Sequence, residues 1–518
     1  MDSRWSGATG RGGTPQRTTS SASVPSGGAR HGIIVSIPDL RFIGYVLGLL
    51  LFMIALMIGA IAVVDALAER GNWHVMVGAS APIFALGGSL ILSCRGGSFE
   101  LDRRQAFLLT LLSWLTLVSF GALPFVLGVS GMSYTDAFFE AMSALTTTGS
   151  TVLTNLDHMP ADLLLWRGFM QWIGGIGIIV MAVAMLPFLK VGGMQLFRME
   201  SSDRSAKVLP RLTDFVGNIV VIYILLTFLC AVAFRMAGMT VLEAAVHAMT
   251  TISTGGFSTS DQSIGHFRSA SIEWITILFM ILGSLPFVLY IQLLRGYSRR
   301  FWIDRQVGVL LMLLLLSALL LTLWMTMHDP RSPLELFRAA LFNIVSVVTT
   351  TGFASEDYSL WGEAPAMAFF FLTFIGGCAG STSGGMKVYR LMVAFELLRQ
   401  TMQRLVRPHA VLPHRESDHK LTDALITSVL TFLFVYVATV GVLTLGLSLV
   451  GLDLMTSLSG AATAVGNVGP GLGPVIGPAG NFAPLPDSAK WLLAAGMLLG
   501  RLEMMTALVM FRLDFWRP

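Results

Sequence analysis

AMSALTTTGS at residues 141–150, AMTTISTGGF at 248–257, NIVSVVTTTGF at 343–353 and AATAVGNVGPG at 461–471 are four copies of one pattern. Aligning them puts Gly149, Gly256, Gly352 and Gly469 in register, at separations of 107, 96 and 117 residues. Each copy closes a short apolar segment, near 134–147, 241–254, 333–350 and 453–466. Crossing a bilayer as a helix takes about 20 apolar residues, so these segments suit re-entrant helices that enter the membrane and turn back. A single Thr-Thr-Thr-Gly reads as a helix end with a glycine stop; four in register read as an internal repeat.

Working outward, each short segment is flanked by longer apolar runs. Spans are expected near 42–64, 73–93, 106–128, 163–189, 215–237, 271–294, 306–327, 364–396, 421–449 and 488–513. The expected fold is an all-α polytopic membrane protein: two leading transmembrane helices, then four membrane–pore helix–membrane repeats around one pore. The division is a disordered cytoplasmic tail (1–35), two leading helices (36–100) and pore repeats at 101–200, 201–300, 301–412 and 413–518. Composition agrees, with 54% hydrophobic and 12% charged residues against roughly 25% charged in a soluble domain. The tail is rich in Ser, Gly, Arg and Thr and carries no cleavable signal pattern.

With the tail inside, residues 1–41, 94–105, 190–212, 295–305, 387–420 and 512–518 hold 26 of the 34 lysines and arginines. That bias obeys the positive-inside rule, sets both termini in the cytoplasm and brings all four short helices in from outside. It also explains the pI of about 9.1 without nucleic acid. Cys94, Cys230 and Cys378 match no metal spacing and read as buried thiols.

Non-helical backbone inside a membrane needs something to satisfy its carbonyls, and four loops around one axis can offer rings of oxygens to a cation. Glycine allows the backbone angles that aim successive carbonyls inward, and threonine hydroxyls add acceptors. The C-terminal end of each short helix, carrying about half a negative charge, would face the cation. Asp136, Glu243, Glu335 and Asp453 stand near the outer starts of these helices, as caps or as cation attractors. Five glycines and three small hydroxyl residues, Gly376, Gly377, Gly380, Ser381, Thr382, Ser383, Gly384 and Gly385, interrupt one long span. Glycine costs about 1 kcal/mol per residue in a helix, so a loop is expected there, resuming as helix by Met386; a close-packed helix crossing is the alternative. Arg501 within the last span needs carbonyl or carboxylate partners, or stands as a fixed charge under the pore. His247 and the methionines read as packing.

These motifs, with QWIGGIGIIV at 171–180, VGGMQLFRME at 191–200, GGCAGSTSGGMKVYR at 376–390 and LLGRLE at 498–503, resemble the superfamily of Trk, Ktr and plant HKT potassium transporters. The similarity runs from about residue 40 to the end and is nearest the Trk-type (TrkH) membrane subunits. It implies a potassium-binding filter of Thr147-Thr148-Gly149-Ser150, Thr254-Gly255-Gly256-Phe257, Thr350-Thr351-Gly352-Phe353 and Asn467-Val468-Gly469-Pro470. Some plant relatives carry serine at the first glycine and prefer sodium; Gly149 here implies potassium. The resemblance also implies that the 376–385 loop is a gate below the filter. It further implies K+ as cargo with no organic cofactor, a homodimer in the bacterial inner membrane, and a cytosolic TrkA-type nucleotide-binding subunit. The basic loops at 196–212 and 397–420 serve as its docking surface or simply meet anionic lipid. Alternatives are a potassium transporter coupled to protons or sodium, against which stands the lack of an obvious membrane-embedded acid other than the candidate Glu503, and, more remotely, an intramembrane enzyme. No HExxH zinc motif occurs; Ser381 and Ser383 lie in a glycine-rich stretch, but a protease would leave the four loops unexplained.

Overall fold

The computed structural model describes residues 40–68, 72–96, 103–185, 208–297, 303–407, 415–416, 419–420, 423–502 and 504–516. The tail, the 191–200 motif, much of both basic loops and Glu503 lie outside the described residues. Among those described, the regular elements are helices apart from a two-residue antiparallel ladder, Arg415–Glu416 with His419–Lys420, and a single parallel bridge, Ile375 with Met386.

Two leading helices, α1 (Arg41–Leu67) and α2 (Trp73–Ser93), cross tightly. A Cβ on Gly48 would stand 3.0 Å from the Gly87 carbonyl, and one on Gly87 3.0 Å from the Gly48 carbonyl. Small residues let backbones approach where hydrocarbon gives no hydrophobic drive between helices. Repeat 1 is α3 (Arg103–Gly121) with its continuation α4 (Leu123–Gly128), short helix α5 (Tyr134–Leu145) and α6 (Ala161–Met185). Repeat 2 is α7 (Val208–Met236), short α8 (Val241–Ile252), α9 (Ala270–Ser284) and α10 (Phe287–Leu294). Repeat 3 is α11 (Arg305–Thr326), short α12 (Pro333–Val348), α13 (Glu363–Leu372) and α14 (Val388–Val406). Repeat 4 is α15 (Asp423–Leu449), short α16 (Leu454–Gly466), α17 (Asp487–Arg501) and a turn, α18 (Met505–Leu508).

Among the described residues seven helices are long and apolar enough to cross a membrane, and the bent pair α9–α10 makes an eighth. The span expected at 271–294 is therefore not one helix: it turns by 91° at Leu285-Pro286. Proline has no N–H to continue the helix and drives the preceding residue extended, as Leu285 is (φ −83°, ψ 156°). The span expected at 364–396 breaks more widely than expected, from Leu372 to Val388, and that at 488–513 stops at Arg501. These two broken spans complete the ten that the sequence suggests.

The short helices start on caps. Ser133, Thr240 and Ser332 each accept the backbone N–H three residues on, so Asp136, Glu243 and Glu335 occupy the third helical position; Asp453 is itself the cap. Thr240 and Glu243 form a reciprocal capping box. Apolar side chains gather in two masses, one joining α1, α2 and repeats 1 and 4, the other repeats 2 and 3. The Thr-rich loops sit where the four repeats converge.

Candidate functional site

All four short helices end in the same way. Thr148 N–H donates to Ser143 O (2.9 Å), Gly255 to Thr250 (2.8 Å), Thr351 to Ser346 (2.8 Å) and Val468 to Thr463 (3.1 Å). One residue earlier, Thr147, Thr254, Thr350 and Asn467 donate three residues back and take positive φ, between 50° and 57°. This pair of bonds around a left-handed residue is the Schellman helix stop. The stop is therefore the Thr or Asn, not the glycine. Two residues on, Gly149, Gly256, Gly352 and Gly469 again take positive φ, 78° to 106°. Left-handed residues at alternate positions turn the intervening peptides in a repeated fashion, four times over.

The loops then close on one another. A Cβ on Gly149 would strike the carbonyl of Gly255, on Gly256 that of Thr351, and on Gly352 that of Val468; on Gly469 it would stand 2.9 Å from that of Thr148. The contacts run from loop 1 to 2 to 3 to 4 and back to 1. Twelve residues of the four sequence motifs, Thr147, Thr148, Gly149, Thr254, Gly255, Gly256, Thr350, Thr351, Gly352, Asn467, Val468 and Gly469, are thus gathered at one place. Gln171 of α6 donates to Gly255 O (2.6 Å) and accepts from Phe257 N–H (3.1 Å). Among the described residues no donor faces the carbonyls of Thr148, Thr351 or Val468. Buried backbone acceptors without partners are costly and rare.

Behind the loops, a polar residue nine positions before three of the glycines reaches the strand that leaves the loop. Glu140 accepts from Thr151 Oγ1 (3.0 Å) and Val152 N–H (3.0 Å). His247 Nε2 pairs with Ser258 Oγ (3.0 Å), and Asn343 Nδ2 donates to Ser355 Oγ (2.9 Å). Repeat 4 has Gly460 there, and Ser459 bonds Leu472 instead. Equal spacing from the glycines could have revealed this set in the sequence; it is visible only once those glycines are aligned.

Under the loops runs the stretch between α13 and α14. Thr382 Oγ1 donates to Ile252 O and Gly283 O (both 3.0 Å) and receives Thr254 Oγ1 (3.2 Å). Gly384 N–H donates to Thr350 Oγ1 (2.7 Å), and a Cβ on Gly384 would meet Gly466 O at 2.6 Å. Cys378 N–H reaches Ser284 O (3.0 Å), and Gly380 O receives Phe287 N–H (3.0 Å), so the Pro286 break supplies a socket. Gly376 pairs with Met386, Gly377 and Gly385 pack beside that bridge, Ser381 Oγ folds back on Cys378 O, and Ser383 O receives Lys387. Arg501, 3% exposed, donates to Thr382 O (2.9 Å) and Gly174 O (3.4 Å). It is held by carbonyls, with no carboxylate partner among the described residues. The stretch thus touches all four repeats, repeat 1 through Arg501.

Above the loops lies a cavity of about 310 Å³, lined by all four glycines together with Asp261, Pro470 and Asn481. Besides Glu140, Asp65 at the end of α1 and Asp162 at the start of α6 are buried and carry oxygens without partners among the described residues. The three cysteines are free thiols, Cys230 and Cys378 buried and Cys94 partly so.

The family described as TrkH, cation transport protein, matches residues 74–516. The chain is 54% identical over 414 residues to the Trk system potassium uptake protein TrkI of Halomonas elongata, covering 80% of this chain and 84% of that one. It is 38% identical to TrkH of the same organism, over 92% of this chain and all of that one. The crystal structure of the potassium transporter TrkH from Vibrio parahaemolyticus superposes with a TM-score of 0.85 at 36% identity, covering 92% of this chain and all of that one. With its apolar spans, converging loops and these likenesses, the chain is a multi-pass membrane protein that belongs to the TrkH family of cation transport proteins.

Proposed function

We propose that this protein takes up potassium through a filter made by the four glycine loops. The observation that carries the reading is the closed cycle of glycine-to-carbonyl contacts between loops, with buried carbonyls that lack donors. Rings of such oxygens replace the hydration shell of a potassium ion. The four short helices point their negative C-terminal ends at the same place. The relatives named for potassium uptake share this chain over most of its length.

The 376–385 stretch is the gate in this reading. It occupies the ion's way below the loops, and Arg501 latches it from the opposite side. The glycines let it rearrange. The proposal extends to a homodimer in the bacterial cytoplasmic membrane with both termini inside, and to a TrkA-type nucleotide-binding ring acting on the basic cytoplasmic loops.

The test is flux of rubidium, potassium and sodium into liposomes holding the purified protein under an imposed potential. Potassium and rubidium should pass selectively down the gradient. Gly149→Ser should relax that selectivity, because φ is 91° there and the added Cβ collides with the Gly255 carbonyl. Flux that requires a proton or sodium gradient would instead make the protein a coupled transporter. Unchanged selectivity in Gly149→Ser would sink the filter assignment.

A further inference from the structure

Nothing in the filter reading uses the buried ion pair behind loops 1 and 2. Glu140 on α5 and Arg167 on α6 are 0% and 1% exposed and meet at 2.8 Å. Their other valences go to the two loops. Glu140 holds Thr151 and Val152 of loop 1 (3.0 Å each). Arg167 spreads its fork: Nη2 to Thr151 Oγ1 (3.1 Å) and Nη1 to the Ser258 carbonyl of loop 2 (3.0 Å). The guanidinium also lies 4.1 Å from the centre of the Phe257 ring. One pair thus grips the residues just after Gly149 and just after Gly256.

Among the described residues loops 3 and 4 share no such charged link. At the same position Asn343 closes on Ser355 within loop 3, and in repeat 4 Ser459 closes on Leu472 within loop 4. Other loops meet through neutral bonds, Ser150 Oγ to Gly469 O (2.7 Å) and Asn467 Nδ2 to Thr148 Oγ1 (3.0 Å) between loops 4 and 1, so loops 1 and 2 are the pair braced by buried charge. A buried ion pair is weak evidence for stability, since neutral replacements of similar volume often serve as well, but it can fix a single geometry. The planar fork of arginine reaches its three acceptors from three separate nitrogens held in one plane, a spread that the single nitrogen of an ammonium lacks.

We infer that Glu140 and Arg167 are positioning residues for ion selectivity: they hold loops 1 and 2 at the separation that suits potassium and so set discrimination against sodium. This rests on the filter reading. Sodium is smaller, so a ring free to contract would accept it better.

The experiment compares rubidium and sodium flux in liposomes for the unmodified protein, Arg167→Lys, the double variant Glu140→Gln/Arg167→Met, and the control Glu273→Gln/Arg338→Met. Arg167→Lys keeps the charge and loses the fork; the double variant removes both charges and leaves neither unpaired. The control removes another interhelical pair, Arg338–Glu273 at 2.8 Å, that joins α12 to α9 without touching a glycine loop. Both Arg167 variants should conduct, with the rubidium-to-sodium ratio lowered about tenfold, the scale of one or two lost hydrogen bonds. The control should keep the unmodified ratio. An unmodified ratio in both Arg167 variants overturns the inference, as does an equal fall in the control. An unmodified protein that does not discriminate overturns the filter reading itself, and this inference with it.

Discussion

Threonine is a poor residue for a left-handed position, because its branched Cβ crowds the backbone, yet three of the four short helices stop on one. The fourth stops on Asn467, which tolerates that conformation far better. The departure of loop 4 from the Thr-rich pattern thus keeps the backbone and changes the side chain. Thr254 and Thr350 have hydroxyls engaged with the 376–385 stretch, whereas the Thr147 hydroxyl has no partner among the described residues. Thr147→Asn should therefore stabilise the fold by about 1 kcal/mol by relieving left-handed strain, read as a higher unfolding temperature in detergent. Thr350→Asn should show no such gain, because it loses the bond from Gly384. In the segment between α11 and α12, hydrogen bonds from the Arg331 side chain and backbone hold the Asp329 carboxyl below its ordinary value. A lowered folded value means the contact supports the loop above the unfolded value of about 4 and is lost as pH falls through the lowered one. Protection of the amides between α11 and α12 against hydrogen exchange, taken relative to the free-peptide rate at each pH, should fall below about pH 4, and Asp329→Asn should abolish that fall.

At the scale of elements, the breaks matter more than the helices. The α13–α14 stretch is fixed on one side by the bend at Pro286, by Ile252 and Gly283, and by Thr350. On the other side Arg501 reaches it through a single bond to the Thr382 carbonyl. That asymmetry gives the proposed gate a hinge and a latch. Gly384 is where the stretch lies tightest against loop 4, with the Asn467 Cβ also within 2.9 Å of an added methyl. Gly384→Ala should therefore push the stretch away and raise ungated rubidium flux several-fold, with the rubidium-to-sodium ratio unchanged. A changed ratio at constant open probability would move the stretch from gating to selectivity. The dense glycines made this break readable in the sequence. The Pro286 break was not, because one proline in a long apolar run is also compatible with a kinked helix, and only the partner that docks there explains a right-angled turn.

For the molecule as a whole, the proposed filter requires four loops from distant parts of one chain to meet around one ion. An ion that binds the folded state alone stabilises it in proportion to occupancy, by about 2.7 kcal/mol at a hundred times its dissociation constant. Potassium should therefore raise the unfolding temperature of the purified protein in a saturable way, and sodium at the same ionic strength should not. Equal protection by both ions would count against a potassium-sized ring. Much of this architecture was legible beforehand. The repeat spacing and the length of the apolar runs are local properties, and a bilayer constrains them strongly. The twelve loop residues followed from aligning the glycines. Glu140, Arg167 and Gln171 were not found, since a lone polar residue in an apolar helix has no period of its own and its partner lies 27 to 86 residues away.

The sequence by itself determined that the chain crosses the membrane many times, that it repeats one unit four times, and that each unit carries a Thr/Gly turn after a short helix. Those properties follow from hydrophobic length, charge bias and backbone preference, which act within a few residues. Only the tertiary structure decided that the four turns close into a cycle in the order 1-2-3-4, and that the helix stop is the threonine rather than the glycine. It also decided that a second span breaks at Pro286 and that Arg501 rests on carbonyls. The helix stop is a matter of left-handed backbone that no sequence period marks; the others depend on which groups are brought together across about ninety residues or more, a separation that hydrogen bonds bridge but sequence pattern does not.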